Sequence, residues 1–126
     1  MSTEDKTILL VEDNPAILKL TSRILSSLGY VAMQAENGSA ALEIYQEHKA
    51  EIRAVITDMQ MPDMTGSELS KQLLEDNPKL AIIFISGYTK DQLDENFSSD
   101  NIFFIQKPFT KATLAEILGM ALEQQV

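Results

Sequence analysis

The chain has 126 residues, of which 44% are hydrophobic and 23% are charged, a composition typical of one folded globular domain rather than a disordered segment. Its 19 acidic and 10 basic residues give a net charge of −9, which argues against direct nucleic-acid binding because Lys and Arg must neutralise the phosphate backbone. No cysteine is present, which excludes disulfides and thiolate zinc sites, and the apolar runs are far shorter than the roughly 20 residues that cross a bilayer.

The first predicted elements are a strand and a helix. The apolar run Ile8 to Val11 predicts the strand. Asn14 and Pro15 then predict the start of the helix, because Asn is a favoured cap and Pro is favoured in the first turn. Apolar residues at helical spacing continue to Leu28, and Gly29 is placed to end the helix.

The alternation of strand and helix is repeated four more times, which makes five β/α units in all. The third helix is expected to stop at Asn77 and Pro78, since the residue before a proline disfavours helix. The remaining predicted strands are Tyr30 to Ala35, Ala54 to Thr57, Leu80 to Ile85 and Ile102 to Ile105. The remaining predicted helices are Ser39 to about Lys49, about Ser67 to Asp76, a weak one from about Lys90 to Asn96, and one from the cap Thr110 through Leu122.

The predicted strands are unbroken apolar runs, which indicates burial on both faces and hence a parallel sheet covered by helices. A barrel of this type needs eight units. We therefore expect a three-layer, doubly wound α/β fold of flavodoxin-like type, with five parallel strands in the order 2-1-3-4-5. We expect residues 1 to 126 to form a single domain, with no output domain.

Three carboxylates follow strands that this order makes neighbours. Glu12 and Asp13 come directly after the first strand, and Asp58 comes directly after the third. In open α/β sheets, ligands bind outside the carboxyl ends of the strands where the winding reverses, which is between these two strands. Crowded carboxylates need a cation or a proton, and an all-oxygen cluster suits Mg²⁺.

A hydroxyl and an ammonium are predicted at the same edge of the sheet. Ser86 comes at the end of the fourth strand, and Lys107 follows the fifth. Aspartate can act as a nucleophile toward phosphorus, and phosphoryl transfer depends mainly on positioning and charge stabilisation. The combination predicts that Asp58 carries a phosphoryl group, whose oxygens are stabilised by a metal ion, Ser86 and Lys107.

The motifs VEDN, ITDMQMPDMTG, ISG and IQKPF, in this order, resemble the receiver domain of two-component response regulators, and the match runs over almost the whole chain. The resemblance implies that Asp58 is the phosphoacceptor and that Asp13 and Asp58 bind Mg²⁺ directly, at a site that can also take Mn²⁺. It implies that the main-chain carbonyl of Gln60 is the third protein ligand and that Glu12 acts mainly through water.

The same resemblance implies a conformational switch. Ser86 and Lys107 would contact the phosphoryl group, and Phe104, three residues before the lysine, would be the aromatic switch. Because Phe104 lacks the hydroxyl of the usual tyrosine, such a switch would act through packing alone. Phosphorylation would then bias the surface formed by the fourth helix, fifth strand and fifth helix.

The resemblance further implies a phosphoacceptor that is not an enzyme, although it assists its own phosphorylation and dephosphorylation. The donor would be a sensor histidine kinase or a histidine phosphotransfer protein, and the output would be a downstream protein partner or an output domain in trans. The segments ISGYT and FIQKPF are similar to receivers at the C-termini of hybrid sensor histidine kinases. Since MSTEDKT lacks the apolar core of a signal peptide, we expect a cytoplasmic protein with no direct contact to membrane or nucleic acid.

Three other functions fit part of the pattern. A receiver-like interaction module that works independently of phosphorylation would be expected to lack an acidic, hydroxyl or lysine position, and all of these are present. A Mg²⁺-dependent aspartyl phosphatase of the haloacid dehalogenase type would carry Asp-x-Asp where VEDN stands. A flavodoxin would carry a phosphate-binding loop there, and Glu12 and Asp13 would repel the phosphate. The interaction module and, less favoured, the phosphatase stay open as alternatives.

Overall fold

The computed structural model describes residues 7–59, 61, 63–86, 101–107 and 109–123. Within these ranges the chain alternates between strands and helices in the predicted manner. The weak helix predicted from about Lys90 to Asn96 lies outside the described residues. The elements are β1 Thr7–Val11, α1 Pro15–Ser27, β2 Val31–Ala35, α2 Gly38–His48, β3 Ile52–Asp58, α3 Gly66–Asp76, β4 Ala81–Ser86, β5 Ile102–Gln106 and α4 Lys111–Glu123.

The five strands form one parallel sheet in the order β2-β1-β3-β4-β5, which confirms the predicted doubly wound fold. Strand β3 lies at the centre, between β1 and β4. The register places Val11 of β1 opposite Thr57 of β3, and Thr57 opposite Phe84 of β4. The residues that follow these positions therefore emerge together at the carboxyl edge of the sheet.

The core consists of two clusters of buried side chains, one on each face of the sheet. Successive residues of a strand contribute to opposite clusters, as in β3, where Val55 belongs to one cluster and Ile56 to the other. Helices α2 and α3 cover the first face, and α1 and α4 cover the second. Their buried apolar side chains are Ala41 and Tyr45 of α2, Leu69 and Leu73 of α3, Leu18 and Leu25 of α1, and Leu114, Leu118 and Ala121 of α4.

The expectation that every strand is buried on both faces is wrong for β2 and β5. In β2, Val31 is 42% exposed and only Ala35 is buried; in β5, only Ile105 is buried. The reason is their position, because both are edge strands with a neighbour on one side only. The central strand β3 shows the predicted pattern, with Ala54 through Thr57 all buried.

The helix ends follow the signals in the sequence. The Asn14 side chain accepts hydrogen bonds from the main-chain N–H groups of Ala16, at 3.0 Å, and Ile17, at 3.3 Å, and Pro15 is the first helical residue of α1. Gly29 follows α1 with a φ of 93°, a conformation that favours glycine. Within the described ranges, no helix is long and apolar enough to cross a membrane.

Candidate metal-binding and phosphoacceptor site

The three carboxylates predicted to converge do lie together at the carboxyl edge of the sheet. Glu12 and Asp13 directly follow β1, and Asp58 is the last residue of the neighbouring strand β3. One carboxylate oxygen from each of the three lies within 4.8 Å of the others. Glu12 is buried, Asp58 is partly buried and Asp13 is exposed, so the cluster opens to solvent on one side. A cation placed there would keep access to water.

Lys107, which directly follows β5, reaches the same cluster. Its Nζ atom lies 3.2 Å from Oδ2 of Asp58 and 3.5 Å from Oε1 of Glu12. The Lys107 side chain is 28% exposed, whereas that of Asp58 is 15% exposed and that of Glu12 only 6%. The ammonium group therefore compensates two carboxylates that water solvates poorly.

The surroundings shift the acidities of Glu12 and Lys107. The pKa of Glu12 is raised to about 7, mainly by burial and also by hydrogen bonding to Asp58 and Asp13 and by the charge of Asp58, while the charge of Lys107 opposes the rise. For Lys107, burial lowers the pKa, but the hydrogen bond and charge of Asp58 and the charge of Glu12 outweigh burial and raise it overall. Lys107 is thus a cation at neutral pH, and burial disfavours the ionised form of Glu12.

The main chain around Asp58 is closely packed. The buried Thr57 donates its hydroxyl to the carbonyl oxygen of Asp58 at 3.0 Å. The N–H of Gly66, at the start of α3, donates to the carbonyl oxygen of Met59 at 2.9 Å. A side chain at Gly66 would have no room, because its Cβ would lie 2.5 Å from the Asp58 carbonyl oxygen. The position of Asp58 is therefore set by β3 and by the start of α3.

The donor set suits a hard cation. The described part of the cluster offers carboxylate oxygens without imidazole or thiolate, a combination that favours Mg²⁺ over softer metals. The exposed Asp13 and the partly exposed Asp58 leave space for the waters that Mg²⁺ retains.

The remaining predicted site residues are described only in part. Ser86 is the last residue of β4, opposite Gln106 of β5, but its side chain lies outside the described residues, as does the whole of Gln60. Phe104 of β5 is partly buried and stacks on Phe84 of β4, with ring centroids 5.5 Å apart. The roles assigned to Ser86, Gln60 and Phe104 stay predictions.

Sequence reasoning missed Asp63, in the loop between β3 and α3. Its carboxylate accepts hydrogen bonds from the first two residues of α2, Gly38 and Ser39. These residues are too distant in sequence for a local capping pattern to reveal the contact. A usable signal was that the first turn of α2 contains no acidic residue, which leaves its N–H groups available to a carboxylate from elsewhere.

The chain matches the family model of the response regulator receiver domain over residues 8–119, and it belongs to that family. Receiver domains are the signalling domains of two-component systems that accept phosphoryl groups. The resemblance inferred from the four sequence motifs is thereby confirmed.

Individual relatives agree with this assignment. The sensor kinase CckA of Brucella abortus is 39% identical over 120 residues, which are 94% of this chain but only 13% of that kinase. The solved receiver domain of the hybrid histidine kinase CckA is 32% identical, has a TM-score of 0.79, and covers 92% of this chain and 98% of its own. The response regulator TrrA of Thermotoga maritima, solved in complex with Mg²⁺ and BeF, is 26% identical with a TM-score of 0.76, over 91% of this chain and 98% of its own.

Proposed function

We propose that the protein is a phosphorylation-activated signalling switch that accepts a phosphoryl group on Asp58 in a Mg²⁺-dependent reaction. The observation that carries the proposal is the position of Asp58, whose carboxylate clusters with those of Glu12 and Asp13 and lies 3.2 Å from the Lys107 ammonium. This arrangement joins a carboxylate nucleophile to two sources of positive charge, a lysine and a metal site.

The residues proposed to hold Mg²⁺ are Asp13 and Asp58 directly, the main-chain carbonyl of Gln60, and Glu12 through water. When bound, the ion would neutralise charge on the phosphoryl oxygens. The oxygen-only donor set and the solved complex of the relative TrrA with Mg²⁺ and BeF support this choice of metal. The same donor chemistry would accept Mn²⁺.

In the proposed reaction, an oxygen of the Asp58 carboxylate attacks phosphorus on a phosphohistidine donor. The oxygen–phosphorus bond forms as the phosphorus–nitrogen bond breaks. The electron pair of the phosphorus–nitrogen bond goes to the imidazole nitrogen. Lys107, which already contacts Asp58 at 3.2 Å, would donate to a phosphoryl oxygen, and so would the Ser86 hydroxyl. The donor would be a sensor histidine kinase or a histidine phosphotransfer protein.

The proposed switch links the phosphoryl group to a protein-binding surface. Movement of Ser86 toward the phosphoryl group would allow Phe104, which stacks on Phe84 in this structure, to pack inward. The surface affected would comprise β5, α4 and the helix predicted from Lys90 to Asn96. The chain spans 13% of the length of the sensor kinase CckA, so the output is proposed only as contacts with a protein partner or with an output domain in trans.

The experiment is phosphorylation with acetyl phosphate. We expect the protein to gain one phosphoryl group by intact mass in the presence of Mg²⁺, and none in EDTA or in the Asp58→Asn variant. Glu43→Gln is the matched control, because it removes an exposed carboxylate from α2 and should phosphorylate normally.

A second measurement is needed in case the phosphoryl group is lost too quickly to be detected by mass. Beryllofluoride with Mg²⁺ should shift the amide resonances next to Asp58 in the wild type and leave them unchanged in Asp58→Asn. An adduct that persists in Asp58→Asn, or a wild type that forms no adduct and shows no shift, would refute the proposal. Steady turnover of phosphomonoesters would instead favour the aspartyl phosphatase.

A further inference from the structure

The loop between β3 and α3 is fastened to the start of α2 by Asp63. Oδ1 of Asp63 accepts a hydrogen bond from the Gly38 N–H at 3.0 Å, and Oδ2 accepts one from the Ser39 N–H at 2.9 Å. The Ser39 hydroxyl donates a third bond to Oδ2 at 2.8 Å. We call these three residues, Asp63, Gly38 and Ser39, the clasp. Both carboxylate oxygens are engaged, which defines the position of the Asp63 side chain closely.

Side-chain packing beside the clasp also connects the loop to α2. Gly38 is buried, and the space that a Cβ atom would need there is filled by the side chain of Met64, the next residue after Asp63. The far end of the loop is held separately, by the hydrogen bond from the Gly66 N–H to the Met59 carbonyl oxygen. Of the described loop residues, Asp63 and Met64 thus contact the start of α2, and the start of α3 is bonded to Met59, the residue that follows β3.

The clasp is not the ordinary cap of α2. That role belongs to Asn37, whose side chain accepts from the Ala40 N–H at 2.8 Å. Asp63 binds the two preceding N–H groups, where a helix favours negative charge. Although Asp63 is exposed, the bonds from Gly38 and Ser39 lower its pKa to about 2, so it is ionised at neutral pH. Removal of the Asp63 side chain would therefore break the hydrogen bonds between the loop and α2, whereas α2 would keep its own cap.

We propose that Asp63 is a positioning residue: through the clasp it fixes the loop that follows Asp58 and thereby sets the affinity of the acidic cluster for Mg²⁺ and the rate at which Asp58 is phosphorylated. This inference rests on the proposed function, since it concerns the same site. The physical reason is that Mg²⁺ requires close to ideal octahedral geometry, so a site whose loop is free to move binds it less well.

The test compares Asp63→Ala with Asn37→Ala. Each variant removes side-chain acceptors from the start of α2, but only Asp63→Ala releases the loop. We expect the Mg²⁺ dissociation constant to rise roughly tenfold in Asp63→Ala, the size of effect typical of residues that orient metal ligands. It should change less than about twofold in Asn37→Ala. Calorimetric titration with MgCl₂ and the initial rate of acetyl phosphate labelling are the two readouts.

Two further variants separate positioning from general destabilisation. Asp63→Asn keeps one oxygen acceptor and should recover part of the lost affinity, whereas Ser39→Ala removes only the hydroxyl bond and should have the smallest effect. Thermal unfolding of every variant identifies loss of the fold. An unchanged Mg²⁺ affinity in a folded Asp63→Ala protein, or equal losses in Asp63→Ala and Asn37→Ala, would overturn the inference. Failure of the wild type to be labelled would count against the proposed function instead.

Discussion

Glu12, Asp58 and Lys107 show how an acidic site is maintained in a protein with a net charge of −9. The pKa of Glu12 is raised to about 7, mainly by burial, although the Lys107 ammonium 3.5 Å away opposes the rise. The charges compensate one another. The poorly solvated carboxylates of Glu12 and Asp58 need a positive partner, and both of them hold the Lys107 ammonium in place. A cation bound at Asp13 would add to the same compensation.

We expect the ionisation of Asp63 to make the free energy of unfolding depend on pH. Its pKa in the folded state is about 2, below the ordinary value of 3.8, because Gly38 and Ser39 donate hydrogen bonds to the ionised form. A carboxyl with a lowered folded pKa contributes stability that is present above its unfolded pKa and is lost as the pH falls through its folded pKa. The contribution of Asp63 is therefore complete above about pH 4 and declines between about pH 4 and pH 2.

The measurement is urea denaturation of the wild type and Asp63→Asn at several pH values between about 5 and 2.5. The wild type should lose its advantage over the variant as the pH falls through this range. Equal pH dependence in the two proteins would contradict the prediction. Asp63→Asn is a suitable comparison because it removes the titrating group and keeps an oxygen at the same position.

At the scale of the elements, the start of α3 lies against the main chain of Asp58. Gly66 is its first residue, and there a Cβ atom would lie 2.5 Å from the Asp58 carbonyl oxygen and 3.1 Å from the Cα atom of Met59. Both neighbours are main-chain atoms, so neither can move aside as a flexible side chain would. The start of α3 can approach the end of β3 this closely only because residue 66 is a glycine.

Substitution of Gly66 should therefore do the opposite of what helix propensity predicts. We expect Gly66→Ala to destabilise the protein by about 1–3 kcal/mol through the clash, and to slow phosphorylation because the main chain of Asp58 must shift. The matched control is Gly119→Ala in α4, where an added Cβ meets nothing within 4 Å. It should stabilise by about 0.5–1 kcal/mol through helix propensity alone. Chemical denaturation measures both, and a neutral Gly66→Ala would contradict the close approach.

At the scale of the whole molecule, the central strand holds the two halves of the core together. Val55 of β3 is fully buried, with 0% exposure, in the cluster covered by α2 and α3. Ile56, next to it, belongs to the cluster covered by α1 and α4. The strand that carries Asp58 is therefore held by packing on both faces of the sheet.

A pair of identical substitutions tests this arrangement. Val55→Ala should destabilise the protein by about 2–3 kcal/mol, since it removes buried methyl groups and leaves a cavity. Val31→Ala, on the exposed edge strand β2, should cost less than about 1 kcal/mol. Urea denaturation midpoints provide the comparison. Similar losses at the two positions would show that the two valines do not differ in burial as described.

Much of the fold could be predicted from local sequence. Apolar runs, the Asn14 and Pro15 helix start and Gly29 are signals that act over a few residues, and each corresponds to an observed element or element end. The predicted strand order is one of the two common orders of doubly wound parallel sheets, and the structure shows that the chain adopts it. The rules for parallel sheets also predicted that Glu12, Asp13 and Asp58 lie at one edge of the sheet, because the carboxyl ends of neighbouring parallel strands meet there.

The sequence by itself determined the order of the elements, the parallel sheet and the identity of the converging carboxylates. Only the tertiary structure decided that Glu12 is buried while the adjacent Asp13 is exposed, that Lys107 contacts both Glu12 and Asp58, and that Asp63 binds α2. The difference has one physical cause. Periodicity and capping are local properties of the chain, whereas desolvation and contacts between distant loops depend on how the layers pack around the sheet.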